Sequence, residues 1–135
     1  MKCDIAKKCG SCQFINQGYV KSLEYKNEEC KKIFKDLKVN VHPVSGMEDP
    51  YYYRNKVHAT YKHMRNGDIA VGRYEESSHR LVPIESCQIE DQKADEVIQT
   101  IRKLAKSFKI KIFNEDSGYG LLRHVLIRTG RKTGE

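Results

Sequence analysis

Apolar residues recur along this chain in two rhythms. Tyr19, Leu23, Lys26, Cys30, Ile33, Phe34 and Leu37 step by three or four. That spacing predicts a helix over 19–37, with Lys and Glu filling its solvated side. The same rhythm returns at Ala94, Val97, Ile98, Ile101, Leu104, Ala105 and Phe108, predicting a second amphipathic helix over 91–108. Between the two the period falls to two. Residues 56–63 alternate around Val57, Ala59 and Tyr61, and residues 68–74 and 79–84 read as two further strands. Asn66 and Gly67 both tolerate positive φ and mark a hairpin turn. Pro43, Gly46 and Pro50 make 39–50 a turning, extended link. Beyond the second helix, 110–113 and 121–129 read as strands, joined by a turn over 114–120. These elements predict an α+β fold: an antiparallel β-sheet meander with two amphipathic helices.

Residues 1–18 show no periodicity and carry three cysteines with Gly10, Ser11 and Gly18. They are expected to form a cysteine-rich loop joined to a single α+β domain over 19–135. A hairpin turn at 130–134 has no return strand after it, which predicts that the chain is a fragment of a longer protein.

Composition narrows the function classes. The chain has 135 residues, 32% charged and 39% hydrophobic, which suits one globular domain. No apolar run is long enough to span a membrane, so no membrane partner is expected. The first residues lack the apolar centre of a secretory signal, so a reducing cytoplasm is the expected compartment. Net charge is +7. The basic excess lies in the first and last thirds, while the middle third is slightly acidic. A polyanion partner, RNA or DNA, fits that balance.

The odd count of five cysteines in a reducing compartment argues against a disulfide framework. Cys3, Cys9 and Cys12 are spaced C-x5-C-x2-C, and Cys87 follows the third predicted strand. Three thiols on a glycine-containing loop can be aimed at one point. Four thiolates suit zinc or an iron–sulfur cluster. Structural zinc usually takes two short paired knuckles, whereas a triplet with a distant fourth is closer to cubane ligation. Unrelated free thiols are the third possibility. Cys30 falls on the apolar side of the first helix and is expected in the core as a small hydrophobe.

Residues 46–56 place Tyr51, Tyr52 and Tyr53 directly before Arg54, Asn55 and Lys56. Rings can stack on unpaired bases while Arg and Lys neutralise phosphates. Packing of the tyrosines is the plainer alternative. Residues 121–132 carry Arg123, His124, Arg128, Arg131 and Lys132 without an acid; a charge-protected strand edge would look the same. Tyr53, Arg54, Lys56, Arg123 and Arg128 are the RNA-binding candidates.

Four segments together resemble one family. They are C-D-I-A-K-K-C-G-S-C-Q (3–13), G-M-E-D-P-Y-Y-Y-R-N-K (46–56), G-R-Y-E-E-S-S-H-R-L-V-P-I-E-S-C (72–87) and G-L-L-R-H-V-L-I-R-T-G (120–130). In this order they are similar to the iron–sulfur members of the S-adenosylmethionine-dependent RNA (uracil-5-)-methyltransferases that act on 23S rRNA. Ser11 stands where that family often has a second glycine. The resemblance implies a [4Fe-4S] cluster on Cys3, Cys9, Cys12 and Cys87. It also implies an RNA-contacting central domain of an enzyme that makes 5-methyluridine. An N-terminal β-barrel and a C-terminal catalytic domain would lie outside this chain. S-adenosylmethionine and the catalytic residues would belong to that catalytic domain, so these residues alone are expected to be inactive, with no catalytic or cofactor-binding residue of their own. A zinc-bound nucleic-acid module is the competing reading, and a small electron carrier is a third.

Overall fold

The computed structural model describes residues 3–75 and 78–135. One helical turn, α1 (Ala6–Cys9), interrupts the cysteine-bearing entry, and α2 (Tyr19–Ile33) follows it. The sheet is built from β1 (Lys56–His63), β2 (Ile69–Tyr74), β3 (Leu81–Pro83) and β4 (His124–Arg128), with α3 (Gln92–Ser107) between β3 and β4. All pairings are antiparallel in the order β3-β2-β1-β4. The α+β meander expected from the alternation is therefore present, with β4 added on the free side of β1.

Alternation sorts the strands into two faces. Val57, Ala59 and Tyr61 of β1 and Ile69 and Val71 of β2 point to one side. There they pack on Ala94, Ile98 and Ala105 of α3, together with Ile112. Val125 and Ile127 of β4 join the rim of this core. Asp91 caps α3 by accepting a hydrogen bond from the Lys93 amide, and the Tyr61 hydroxyl donates to the Ile98 carbonyl at 2.9 Å. The opposite face carries Lys56, His58, Thr60, Gly72, Tyr74, His124, Leu126 and Arg128. No helix covers it among the described residues.

Several expectations need correction. The helix predicted over 19–37 stops at Ile33, with Phe34 as its cap. Its only buried residue is Ser22, and none of its residues enters the core. Cys30 is thus half-buried rather than part of the core. The reason lies in the layering: α3 alone covers the inner face of the sheet, and α2 rests on loops. The Met47 amide donates to the Tyr19 hydroxyl at 2.6 Å, the Val44 amide to Asn27 Oδ1, and the Phe14 ring packs tilted against Tyr25.

The strand expected over 110–113 is only a parallel bridge between Ile112 and Leu122. A parallel ladder needs a crossover of about a dozen residues or more, and the link here is too short. The chains instead meet closely at Gly120, where a Cβ would lie 2.4 Å from the Ile112 carbonyl oxygen. In the first hairpin only Gly67 takes a positive φ; Asn66 does not. The Gly67 amide bonds to the Met64 carbonyl and the Met64 amide to the Asp68 carbonyl. That is a turn followed by a glycine bulge, not a two-residue primed turn. The turn at 130–134 forms as expected, closed by the Gly134 amide on the Gly130 carbonyl.

Candidate metal centre and nucleic-acid interface

The short helix α1 orients the first cysteines. The Ala6 amide bonds to the Cys3 carbonyl, and Gly10 closes the turn in the left-handed region at φ 67°. The Cys9 thiol donates to Ser11 Oγ at 3.1 Å. So Ser11, the departure from the family pattern, supports the loop through its hydroxyl.

Cys87 arrives from the other side. Residues 52–54 run parallel to 88–90: the Tyr52 amide donates to the Gln88 carbonyl, Arg54 to Ile89, and Asp91 back to Arg54. The Cys87 amide donates to Asp95 Oδ2 at 2.8 Å, which ties it to the first turn of α3. Burial raises the Asp95 pKa, opposed by that amide and by Arg73.

The thiols are electrostatically coupled. Burial raises the Cys12 thiol pKa most, and Cys87, Cys9 and Cys3 each raise it further, while Arg54 lowers it. Burial likewise raises Cys87, with the Ile89 amide and Arg73 opposing and Asp95 and Cys9 adding. Cys12 thus feels the charge of Cys3, Cys9 and Cys87, and Cys87 that of Cys9. The four thiols are not drawn into a compact group. Among the described residues no three His, Cys, Asp or Glu side chains are placed to hold a single metal ion.

Beneath this region lies an ionic centre that the sequence did not signal. Glu90 is 4% exposed, paired with Arg73 and 4.0 Å from Arg54. Nothing in the spacing of these residues marks them as partners; the parallel bridge between Arg54 and Glu90 brings them together.

The RNA-binding candidates fall in three places. Tyr53 and Arg54 line a groove of about 500 Å³ with Cys12, Phe14, Tyr19 and Ile89. Arg123 grips Glu115 with two hydrogen bonds, at 2.8 and 2.7 Å, and lies over the Phe113 ring. Lys56 and Arg128 are cross-strand partners on the open face of the sheet, both exposed. Arg54 also borders that face, and so joins the two surfaces. His58 and His124 are further polar residues there, legible from the alternation but not singled out.

The fold and the cysteine neighbourhood define a thiol-rich, basic α+β domain. No family model matches the chain. It is similar to an uncharacterized RNA methyltransferase of Clostridium acetobutylicum, 43% identical over 98% of this chain and 30% of the relative. A second relative of the same description, from Clostridium tetani, is 37% identical over 98% of this chain and 29% of its own length. Among solved structures, the tRNA (uracil-54, C5)-methyltransferase of Pyrococcus abyssi, in complex with S-adenosyl-L-homocysteine, superposes with a TM-score of 0.69. It is 24% identical, and the match covers 99% of this chain and 31% of that one. The chain spans about 30% of the length of the relatives it matches. It corresponds along nearly its whole length to one segment of proteins named as RNA methyltransferases, which are enzymes.

Proposed function

We propose that this chain is the central, cluster-holding and RNA-contacting part of a cytoplasmic RNA (uracil-5-)-methyltransferase that makes 5-methyluridine in 23S rRNA. The supporting observation is the match of nearly the whole chain to relatives named as RNA methyltransferases, beside the electrostatic influence of Cys3, Cys9 and Cys87 on the Cys12 thiol. The donor set fits a [4Fe-4S] cluster: four soft thiols, a backbone amide aimed at the Cys87 sulfur, and Arg54 and Arg73 to offset negative charge. Four thiolates on one zinc ion stand about 3.8 Å apart, given Zn–S bonds of about 2.3 Å. A cubane gives each thiolate its own iron and spaces them more widely.

When bound, the cluster would supply a fixed tie between the N-terminal loop and the sheet. The residues around it would then present Tyr53, Arg54, Lys56, Arg123 and Arg128 to RNA. S-adenosylmethionine and the methyl-transfer groups belong to the remainder of the longer protein in this reading, in the domains that these residues do not include.

Anaerobic purification followed by iron, zinc and acid-labile sulfide analysis tests the metal centre. Iron and sulfide near four each per chain are expected. Zinc without sulfide would replace this reading with that of a zinc-bound nucleic-acid module. Deletion of the gene, followed by mapping of 5-methyluridine in the cell's RNA, tests the substrate. A site lost from 23S rRNA is the expected result. The structural neighbour, a tRNA (uracil-54, C5)-methyltransferase, favours tRNA as the second reading, and loss from tRNA alone would establish it.

A further inference from the structure

The uncovered face of the sheet holds an arrangement that packing does not explain. Lys56 and Arg128 sit directly opposite each other on β1 and β4. Like charges at opposed cross-strand positions destabilise a sheet, and no carboxylate pairs with either among the described residues. Two residues along, the exposed His58 faces Leu126, itself 54% exposed, and the His124 ring lies 4.9 Å from that of His58. The concavity beside these rings, about 550 Å³, is lined by Arg54, Asn55, Lys56, His58, Thr60, Arg73, Tyr74 and His124, with no acid. Two carboxylates that pair with residues bordering this face are already engaged: Glu90 by Arg73, and Glu115 by Arg123 and the Tyr74 hydroxyl.

We propose that this face is a single-strand RNA subsite, with one phosphodiester held between Lys56 and Arg128 and the adjoining base laid on the strip His58, Leu126, His124. The inference rests on the RNA reading above and deepens it by naming the surface and the form of RNA. A phosphate relieves the repulsion between the two cations. The strip beside it offers two imidazole rings and the exposed Leu126 side chain, against which an unpaired base can lay its ring face. The two sites are two residues apart along the strands, about 7 Å, within the reach of one nucleotide. A duplex offers phosphates to the cations but no free base to the strip.

The test is fluorescence anisotropy with a labelled single-stranded RNA oligonucleotide of mixed sequence and a duplex of the same length. It is run over about 50–200 mM salt, at a pH where the imidazoles are neutral. Thermal melts of every variant report its folding. Wild-type protein should bind the single strand more tightly than the duplex. The double variant Lys56→Ala/Arg128→Ala should flatten the log–log salt slope by about 0.7 or more. Lys93→Ala/Lys103→Ala, which removes two charges from the helix on the other side, should leave the slope unchanged. His58→Ala should weaken binding about 5-fold or more at constant slope, and His58→Phe should retain it.

Binding by the wild-type protein with no response to Lys56→Ala/Arg128→Ala would place RNA on another surface and overturn this proposal alone. Duplex binding equal to single-strand binding, with no response to His58→Ala, would remove the base contact and overturn it equally. A wild-type protein with no salt-dependent RNA binding would overturn the RNA reading itself, and this proposal with it.

Discussion

The helices α2 and α3 are nearly equal in length, 15 and 16 residues, and both carry apolar side chains at helical spacing. Their fates differ. α3 buries Ala94, Ile98 and Ala105 against the sheet. α2 buries only Ser22, and leaves Val20 and Ile33 about as exposed as its lysines. A stripe of apolar residues thus predicts that a segment is helical and amphipathic without naming what it packs on. The sheet is held by apolar burial. The N-terminal third is held to the 44–47 link by a few hydrogen bonds and shares one groove with Tyr53, Arg54 and Ile89.

The sharpest way to break that contrast is Cys87→Ala. If a metal centre on Cys3, Cys9, Cys12 and Cys87 holds the N-terminal third, this variant loses its iron. Residues 3–33 should then lose protection in hydrogen exchange while β1, β2 and α3 keep theirs. Closing a loop of more than about 70 residues is worth several kcal/mol in the chain-entropy picture, so the effect is large. Cys30→Ala should keep full iron and cost less than about 1 kcal/mol, since that side chain is outside the core. Unchanged protection in the Cys87 variant would show that the groove contacts alone hold α2.

Tyr61 tests the other half. It is 2% exposed and bonds its hydroxyl to the Ile98 carbonyl, and burial pushes its pKa up to about 12. Tyr61→Ala should destabilise the sheet by about 3–5 kcal/mol in denaturant unfolding. Tyr61→Phe keeps the ring and should cost about 1 kcal/mol. Equal costs for the two would mean that the hydrogen bond, not the packed ring, fixes α3 on the sheet.

Strands and α3 were legible because alternation and helical spacing report burial directly, as at Val57, Ala59, Tyr61, Ala94 and Ile98. The cysteine pattern suggested grouping Cys87 with Cys3, Cys9 and Cys12 but left zinc and free thiols open; the resemblance is what implies a [4Fe-4S] cluster on them. The Arg54–Glu90–Arg73 centre was not legible, because it depends on a two-strand parallel bridge that no local pattern encodes. The backbone of residues 51–53 was not legible either. Tyr52 adopts φ 48°, a left-handed conformation that an aromatic residue takes only under tertiary constraint. Arg131 donates to its carbonyl there, and Gln88 accepts from its amide.

The smallest effect concerns the face that α3 leaves open. His124 lies beside His58 and Arg123, with Thr60 Oγ1 3.1 Å from its Nδ1. Partial burial chiefly, then His58 and Arg123, hold its pKa below the ordinary 6.5, with Glu115 opposing. A histidine with a depressed folded pKa binds fewer protons folded than unfolded in the window between the two values. Its contribution is present above pH 6.5 and is lost as pH falls through the folded value. The ring is exposed, so solvent screening limits the loss to a few tenths of a kcal/mol. Melting temperatures of wild type and His124→Asn, followed from neutral pH down to about pH 5, isolate this residue from the other histidines, which are common to both. Wild type should lose slightly more on acidification than the variant. A saturating single-stranded RNA should cancel that difference, because a phosphate on the open face favours the protonated ring. Parallel curves without RNA would mean that the open face leaves His124 as free to ionise as an isolated side chain.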